Sequence, residues 1–497
     1  MEKLVGHKSN GFSYVHNQHI FRKNGTYYKC SFPECPASCK VSTENIVKEL
    51  KAHNHHPDLH ALQILRYKNL LRQEALTQTT PQNIVDEVAM AFPQAASDYH
   101  DGNASQLITA ERRRRRPVVP NTSTELQNIL RDPQWASLGL DSNKDPFFRE
   151  VVTSPNGSKA VIFISQSLQD LMCRPNWEAH CDATFACRPA KPEYAQVFTL
   201  HAVDRVTLGE NLFVYPVLYA LMEDRTAASY RTILEYLSTH VEGFQPPGAL
   251  MADFELAIRA AFRQMWPDIA ISGCHFHYCQ ALWKKATSYR NIRYELLRGG
   301  TCLKLLYNLM KVLPLLPATL IREGMAVINR EAENYNKLAE TAGLREYMES
   351  YWLETVGSEV LSVAEAPFRT NNAVEGFYSR INRAMKTRRP DLYTFLGRLQ
   401  SIDAAQYRHR QSRRQNRAPT RERASRYTRK DQGIARGLTK LREGEITVRE
   451  YLFLASEEVS RGTDQDVLRL YEEEDEDDVV RTLYNNIEQN SVFKQYF

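Results

Sequence analysis

GALMADFELAIRAAF, residues 248–262, decides the fold. The apolar run GALMA is short, closes on Asp253, and gives way to a stretch with helical spacing, so it reads as a buried strand delivering a carboxylate to its exit before a helix begins. HCDATF, residues 180–185, has the same character: apolar flanks make a strand with Asp182 at its exit. Around these lie further β-rich runs, AVIFIS (160–165), YAQVFTLHAV (194–203), NLFVYPVLYALM (211–222) and IAISGCHF (269–276), with one strongly helical stretch, Ala227–Thr239. This alternation predicts an α/β sheet over residues 151–280. If the two Asp-bearing strands are neighbours, both carboxylates emerge from one edge.

A third acid, Glu375, lies in RTNNAVEGFYSRINRAM (369–385), where Thr370 or Asn371 is placed to cap a helix running through Met385. Two Asp and one Glu on adjacent strands and a helix suit a pair of hard divalent ions, because Mg²⁺ takes oxygen ligands and keeps positions open for water and phosphate. Two such ions stabilise the attacking and leaving oxygens of a phosphodiester.

The flanking sequence differs in composition. From Ala281 to about Ala364 apolar residues recur at three and four spacing, which predicts a helical insertion. Residues 377–442 hold nineteen Lys and Arg against four acids, a local excess of +15 in a chain whose total is +5. Residues 61–150 read as helix, polar loop and the run Arg112–Arg116, and Glu472–Asp478 is an uninterrupted acidic tail, expected to be disordered and to shield the basic region. Runs of cations add salt-dependent, sequence-independent affinity for phosphate. The DNA-contact candidates are therefore Arg112, Arg113, Arg114, Arg115, Arg116, Arg380, Arg383, Arg388, Arg389, Arg413 and Arg414; Arg112–Arg116 also suits nuclear import.

The 497 residues, 42% apolar and 25% charged, exclude a wholly disordered or collagen-like chain and imply several domains. Leu212–Met222 falls short of the roughly 20 apolar residues that span a bilayer, so no membrane helix is expected. MEKLVGHKSNGF has no secretory character, which points to the cytosol or nucleus and to reduced thiols.

Three of the nine cysteines, Cys30, Cys35 and Cys39, fall within ten residues. Cys30 and Cys35 with His53 and His55 supply the four ligands of a closed tetrahedral zinc site, with Cys39, His56 and His60 as spares. The segments between them alternate like short strands with too little core to fold alone, so zinc would supply the folding energy.

Two resemblances follow. Tyr27-Tyr28-Lys29-Cys30, Cys35-Pro36-Ala37 and the closing His53-x-His55 resemble the FLYWCH zinc-finger family over residues 6–57, with Tyr28 where the family name carries Trp. CDATF, LMADFELA, SGCHFHYCQAL and TNNAVEGFYSRIN, in that order, resemble the MULE (Mutator-like) transposase domain, a DDE enzyme on an RNase H-like fold. That resemblance implies Asp182, Asp253 and Glu375 as the catalytic Mg²⁺ or Mn²⁺ triad, with Cys274 and His277 as an accessory Cys-x-x-His motif. Those two either order the site or DNA strand, or brace the last strand as a buried thiol and satisfied imidazole. A zinc site completed by His275 and Cys279 is a weaker alternative.

The implied protein is multidomain, α+β and α/β. A small zinc-bound β module (6–57) and a helical, basic linker region (58–150) precede an RNase H-like core (151–280 and 366–400) interrupted by an all-α insertion (281–365). A basic helical DNA-contact region (401–470) and the acidic tail (471–497) follow. The expected function is nuclear, metal-dependent DNA cleavage and strand transfer on transposon ends and target DNA. Pairing of ends implies a homodimer or higher assembly. The alternative is a domesticated, catalytically silent DNA-binding regulator.

Overall fold

The computed structural model describes residues 1–5, 11–42, 46–75, 81–205, 212–298, 302–385, 388–415 and 425–460; the acidic tail lies outside them. The chain divides into two units. One comprises Met1–Pro120, Asn128–Leu138 and Leu392–Arg398, the other Asn121–Gln127, Gly139–Asp391 and the residues from Leu399 onward.

The first unit begins with six short strands, β1 (Glu2–Val5), β2 (Phe12–His16), β3 (His19–Asn24), β4 (Tyr27–Cys30), β5 (Ser38–Val41) and β6 (Val47–Lys51), each antiparallel to the next. Positive φ at Asn17 (46°) and Gln18 (64°) makes the tight two-residue turn between β2 and β3. Val15, with Leu4 and Ile20, packs on Leu62 and Leu65 of helix Leu59–Glu74, whose first turn is capped by Asp58 accepting from the Ala61 amide. Phe21, Cys30, Cys35, Ala37 and Cys39 form a second small core. Helices Pro81–Ala91, Pro93–Asp98 and Asp101–Arg114 close around Tyr67, Leu71, Val85 and Ile108.

The second unit is built on a seven-stranded sheet of β7 (Phe148–Thr153), β8 (Lys159–Ile164), β9 (Glu178–Thr184), β10 (Gln196–Arg205), β11 (Leu212–Met222), β12 (Ala249–Ala252) and β13 (Ala270–Gly273), in the order β13-β12-β9-β10-β11-β8-β7. β9, β12 and β13 run parallel and the rest are antiparallel. β10 and β11 are almost wholly buried; β11 is apolar throughout, while β10 buries Gln196, Thr199, His201 and Asp204 among its apolar residues. The edge strand β7 escapes a reading of sequence alone, because FREVVT is half polar.

The helices begin earlier than their periodicity indicates. β13 ends at Gly273 and the next helix, His275–Ser288, starts at once, so the HF of IAISGCHF is helical. Cys302–Val312, Ile321–Asn334 and Leu338–Tyr347 follow, then a π-helical segment, Met348–Val356. Helix Val448–Ser460 packs into this layer: the Tyr451 hydroxyl donates to the Leu315 carbonyl at 3.0 Å, Arg449 pairs with Glu331 at 2.7 Å, and Leu452 and Ala455 are buried. Part of the stretch expected to contact DNA is thus structural. Arg410 makes the same point: buried, it is held by both oxygens of Asp170 (2.5 and 2.6 Å) and by Asp204 (2.8 Å).

Two sites in this unit give stability predictions. A methyl added at Gly273 would overlap the Phe254 ring, which packs edge-on against Trp352. Gly273→Ala should lower stability by the ~1–3 kcal/mol typical of overpacking. Gly376→Ala, where an added methyl meets nothing, should leave the melting temperature unchanged or raised, as thermal unfolding would show.

Asp403, on helix Leu392–Arg414, accepts from Ser165 (3.0 Å) and Tyr219 (3.2 Å), and burial pushes its carboxyl up to about 7. A folded-state pKa above the unfolded value of about 3.9 contributes stability that is complete below that value and lost as pH rises toward the folded one. The Asp403 contribution to the unfolding free energy should therefore decline between about pH 4 and pH 7. The difference in unfolding free energy between wild type and Asp403→Asn, followed in denaturant titrations, should shrink across that window.

Candidate active site and metal centre

The parallel register of β12 on β9, Ala249↔Glu178 through Met251↔His180, extended two residues sets Asp253 level with Asp182. Asp253 follows the carboxyl end of β12, and Asp182 lies in the carboxyl-terminal half of the parallel strand β9, the side on which α/β sheets open their crevices. Asp182 lies within β9, opposite Thr199 of β10, and not at the strand's exit; its Oδ1 accepts from the Ala183 amide at 2.8 Å. Burial, then the negative charges of Asp253, Glu375 and Glu255, hold its carboxyl well above the usual carboxylate range.

Glu375 is in the first turn of helix Asn372–Met385. The Asn371 carbonyl accepts from the Val374 and Glu375 amides, so Asn371 stands at the cap position. Its side chain does different work. Nδ2 donates to the Cys181 carbonyl at 3.0 Å and Oδ1 lies 3.1 Å from His180 Nδ1, while His180 Nε2 lies 3.0 Å from Glu178. This buried strut ties the Glu375 helix to β9. Farther along, the Tyr378 hydroxyl donates to the Asp182 carbonyl at 2.6 Å and lies 2.7 Å from the Thr199 hydroxyl.

Glu375 sits closest to the accessory motif. Cys274 Sγ is 3.9 Å and His277 Nε2 3.8 Å from Glu375 Oε1, and the ligand atoms of all three lie within 4.8 Å of one another. Asp182 and Asp253 belong to no such cluster among the described residues. Cys274 is buried, accepts from the Asn371 amide at 3.2 Å, and has its thiol pushed up by burial and then by Glu375. His277 Nδ1 is buried with no hydrogen-bond partner. The motif therefore faces the third acid.

The alternative zinc set comes together only in part. Cys279 Sγ lies 3.5 Å from His275 Nε2, but that nitrogen is also 2.8 Å from the Lys311 carbonyl, burial drives the imidazole's pKa down to about 3, and neither residue joins the cluster of Cys274, His277 and Glu375.

Glu255 is an acid that the sequence alone does not single out. Its amide donates to Asp253 Oδ1 at 2.9 Å, the Tyr230 hydroxyl donates to its Oε1 at 3.3 Å, and burial followed by Asp253 raises its carboxyl. The available signal is the D-F-E triplet at the strand exit.

In the first unit Cys30, Cys35, His53 and His55 come together: Cys30 Sγ is 3.4 Å from His55 Nε2 and Cys35 Sγ 3.6 Å from His53 Nδ1. The Phe32 and Ala37 amides donate to the two sulfurs at 3.5 and 3.4 Å. His55 Nδ1 donates to the His56 carbonyl at 2.6 Å, which fixes the tautomer and leaves Nε2 with its lone pair toward Cys30. Burial and then His55 lower the pKa of His53, favouring the neutral imidazole that metals bind. Thiolate and imidazole donors oriented by these amide and carbonyl contacts fit zinc. Cys39, buried opposite Tyr28, is a core residue, and His60 pairs with Asp98 at 2.7 Å.

Several expected DNA contacts have partners within the chain. Arg112 donates to the Ala75 carbonyl at 2.7 Å, Arg114 and Arg115 bind Glu111 at 2.9 and 2.5 Å, and Arg116 reaches Thr394. Arg413 lies over the Phe213 ring and Arg414 is 3.7 Å from Asp170. Arg113, Arg380, Arg383, Arg388 and Arg389 are exposed.

No curated protein matches the chain. Residues 181–281, from the cysteine before Asp182 through Asp253, Cys274 and His277, match the family model of the MULE transposase domain, which marks this part of the chain as transposase-related.

Proposed function

We propose that the protein is a Mutator-like DDE transposase that cleaves DNA ends and transfers the 3′ strand to target DNA in the nucleus, using Asp182, Asp253 and Glu375 to hold Mg²⁺ or Mn²⁺. The observation that carries this reading is the parallel pairing of β9 and β12, which brings Asp182 and Asp253 to one edge of the sheet beneath the docked Glu375 helix. The strand order, with three antiparallel strands β9-β10-β11 continued by parallel β12 and β13, supports an RNase H-like core. Oxygen donors suit a hard divalent cation, and the burial and neighbouring acids that raise Asp182 would be offset by one. When bound, such ions supply charge stabilisation to the oxygens exchanged at phosphorus.

The chain's own residues position the acids. The Asn371–His180–Glu178 strut and Tyr378 fix the helix that carries Glu375, and the Glu255 amide orients Asp253. Cys274 and His277 both approach Oε1 of Glu375. Cys30, Cys35, His53 and His55 would hold zinc in a FLYWCH-like module that grips DNA, and exposed Arg380 and Arg383, on the helix of Glu375, suit phosphate. Assembly as a dimer or larger on paired ends belongs to this reading.

Incubating the purified protein with a labelled duplex bearing the element's terminal sequence should give nicked or joined products with Mg²⁺ or Mn²⁺. Specific binding of that duplex with no product in either ion would favour the silent regulator instead.

A further inference from the structure

The antiparallel sheet of the first unit has an uncovered stretch with an unusual charge pattern. Its register sets Arg22 of β3 opposite Lys29 of β4, Lys29 opposite Ser38 of β5, and Ser38 opposite Lys51 of β6. Two residues along β5, on the same side, Lys40 stands opposite Lys48. All five cations are exposed. Alternation sends Phe21, Cys30 and Cys39 to the other side, into the small core.

Like charges directly opposite each other destabilise a sheet, yet this face carries two such pairs, Arg22/Lys29 and Lys40/Lys48. The only acid in the described β2–β6 strands, Glu49, pairs with Cys39 and so belongs to the opposite side. With strands about 4.8 Å apart, the row from Arg22 to Lys51 spans roughly 15 Å. Arg22 and Lys29 also line a cleft of about 470 Å³, together with Lys23 and one acid, Glu34.

We infer that this face is a contact surface for the sugar–phosphate backbone of duplex DNA, reading charge and not sequence. A strip of point charges that the fold keeps at a cost in stability is relieved by a polyanion laid across it. Neutralising its phosphates releases counterions, which makes binding steeply salt-dependent. The choice of DNA among polyanions rests on the proposed transposase function; the strip itself does not.

The test uses the full-length protein and a fluorescent random-sequence duplex, with affinity followed against salt. Replacing Arg22, Lys29, Lys40 and Lys48 together by Ala should weaken binding at least about tenfold and reduce the slope of log affinity on log salt by roughly 0.9 for each phosphate no longer neutralised. Lys48→Glu alone turns a repulsive pair into an attractive one, so it should weaken DNA binding while the melting temperature holds or rises and zinc content is unchanged. That combination separates the proposal from simple misfolding. Wild-type affinity and salt slope in both variants would overturn it, as would a loss confined to an acidic polypeptide such as polyglutamate. Absence of Mg²⁺-dependent cleavage by the wild type counts against the transposase reading alone.

Discussion

Asp253→Ala protein should cleave a labelled DNA end at least ~10³-fold more slowly than the wild type, the kinetic equivalent of about 4 kcal/mol. Asp182→Asn and Glu375→Gln should do the same, because each removes an oxygen ligand from one shared site. Asp182→Asn makes a second, opposite prediction. The Asp182 carboxyl is raised by burial and by Asp253, so its contribution to folding is present at low pH and lost as pH rises through the folded value. Removing that charge should therefore raise the melting temperature of metal-free protein at neutral pH while abolishing cleavage. Rates within a few-fold of wild type in Asp253→Ala would remove this site from the chemistry.

The second large effect concerns zinc. Purified protein should carry one zinc per chain, and Cys35→Ser or prolonged chelation should strip it. The sheet rests on two small cores, Phe21 with Cys39 and Val15 with Leu62 and Leu65, which is little for six short strands, and structural zinc contributes on the order of 10–16 kcal/mol. Amides of β3 and β4 should then exchange with solvent at rates near those of an unfolded chain, while those of β10 and β11 stay protected. Full protection of β3 and β4 without metal would show that the sheet folds on its own.

The sequence makes some of this legible and conceals the rest for physical reasons. Strands such as GALMA are buried on both faces, so they appear as continuous apolar runs, and the acid that ends one is visible by its abruptness. The same holds for Cys30, Cys35, His53 and His55, whose residue types leave few alternatives. Glu255 is hidden because an acid at a helix start has an ordinary capping explanation, and only burial beside Asp253 gives it another. Asn371 reads in sequence as a cap alone, since the partners of its side chain, His180 and Cys181, lie some 190 residues away. The basic stretch misleads most. Arg410 is indistinguishable from its neighbours by composition, yet Asp170 and Asp204 convert it into a buried tie.

The position of Glu375 bears hardest on the account, for its carboxylate lies nearest Cys274 and His277 while the proposal assigns it to Asp182 and Asp253. Anomalous scattering from Mn²⁺ in crystals of the protein with a cleaved DNA end addresses this directly. The account predicts Mn²⁺ within about 2.5 Å of carboxylate oxygens of Asp182, Asp253 and Glu375. Anomalous density confined to Cys274, His277 and Glu375, with none at the two aspartates, would contradict it.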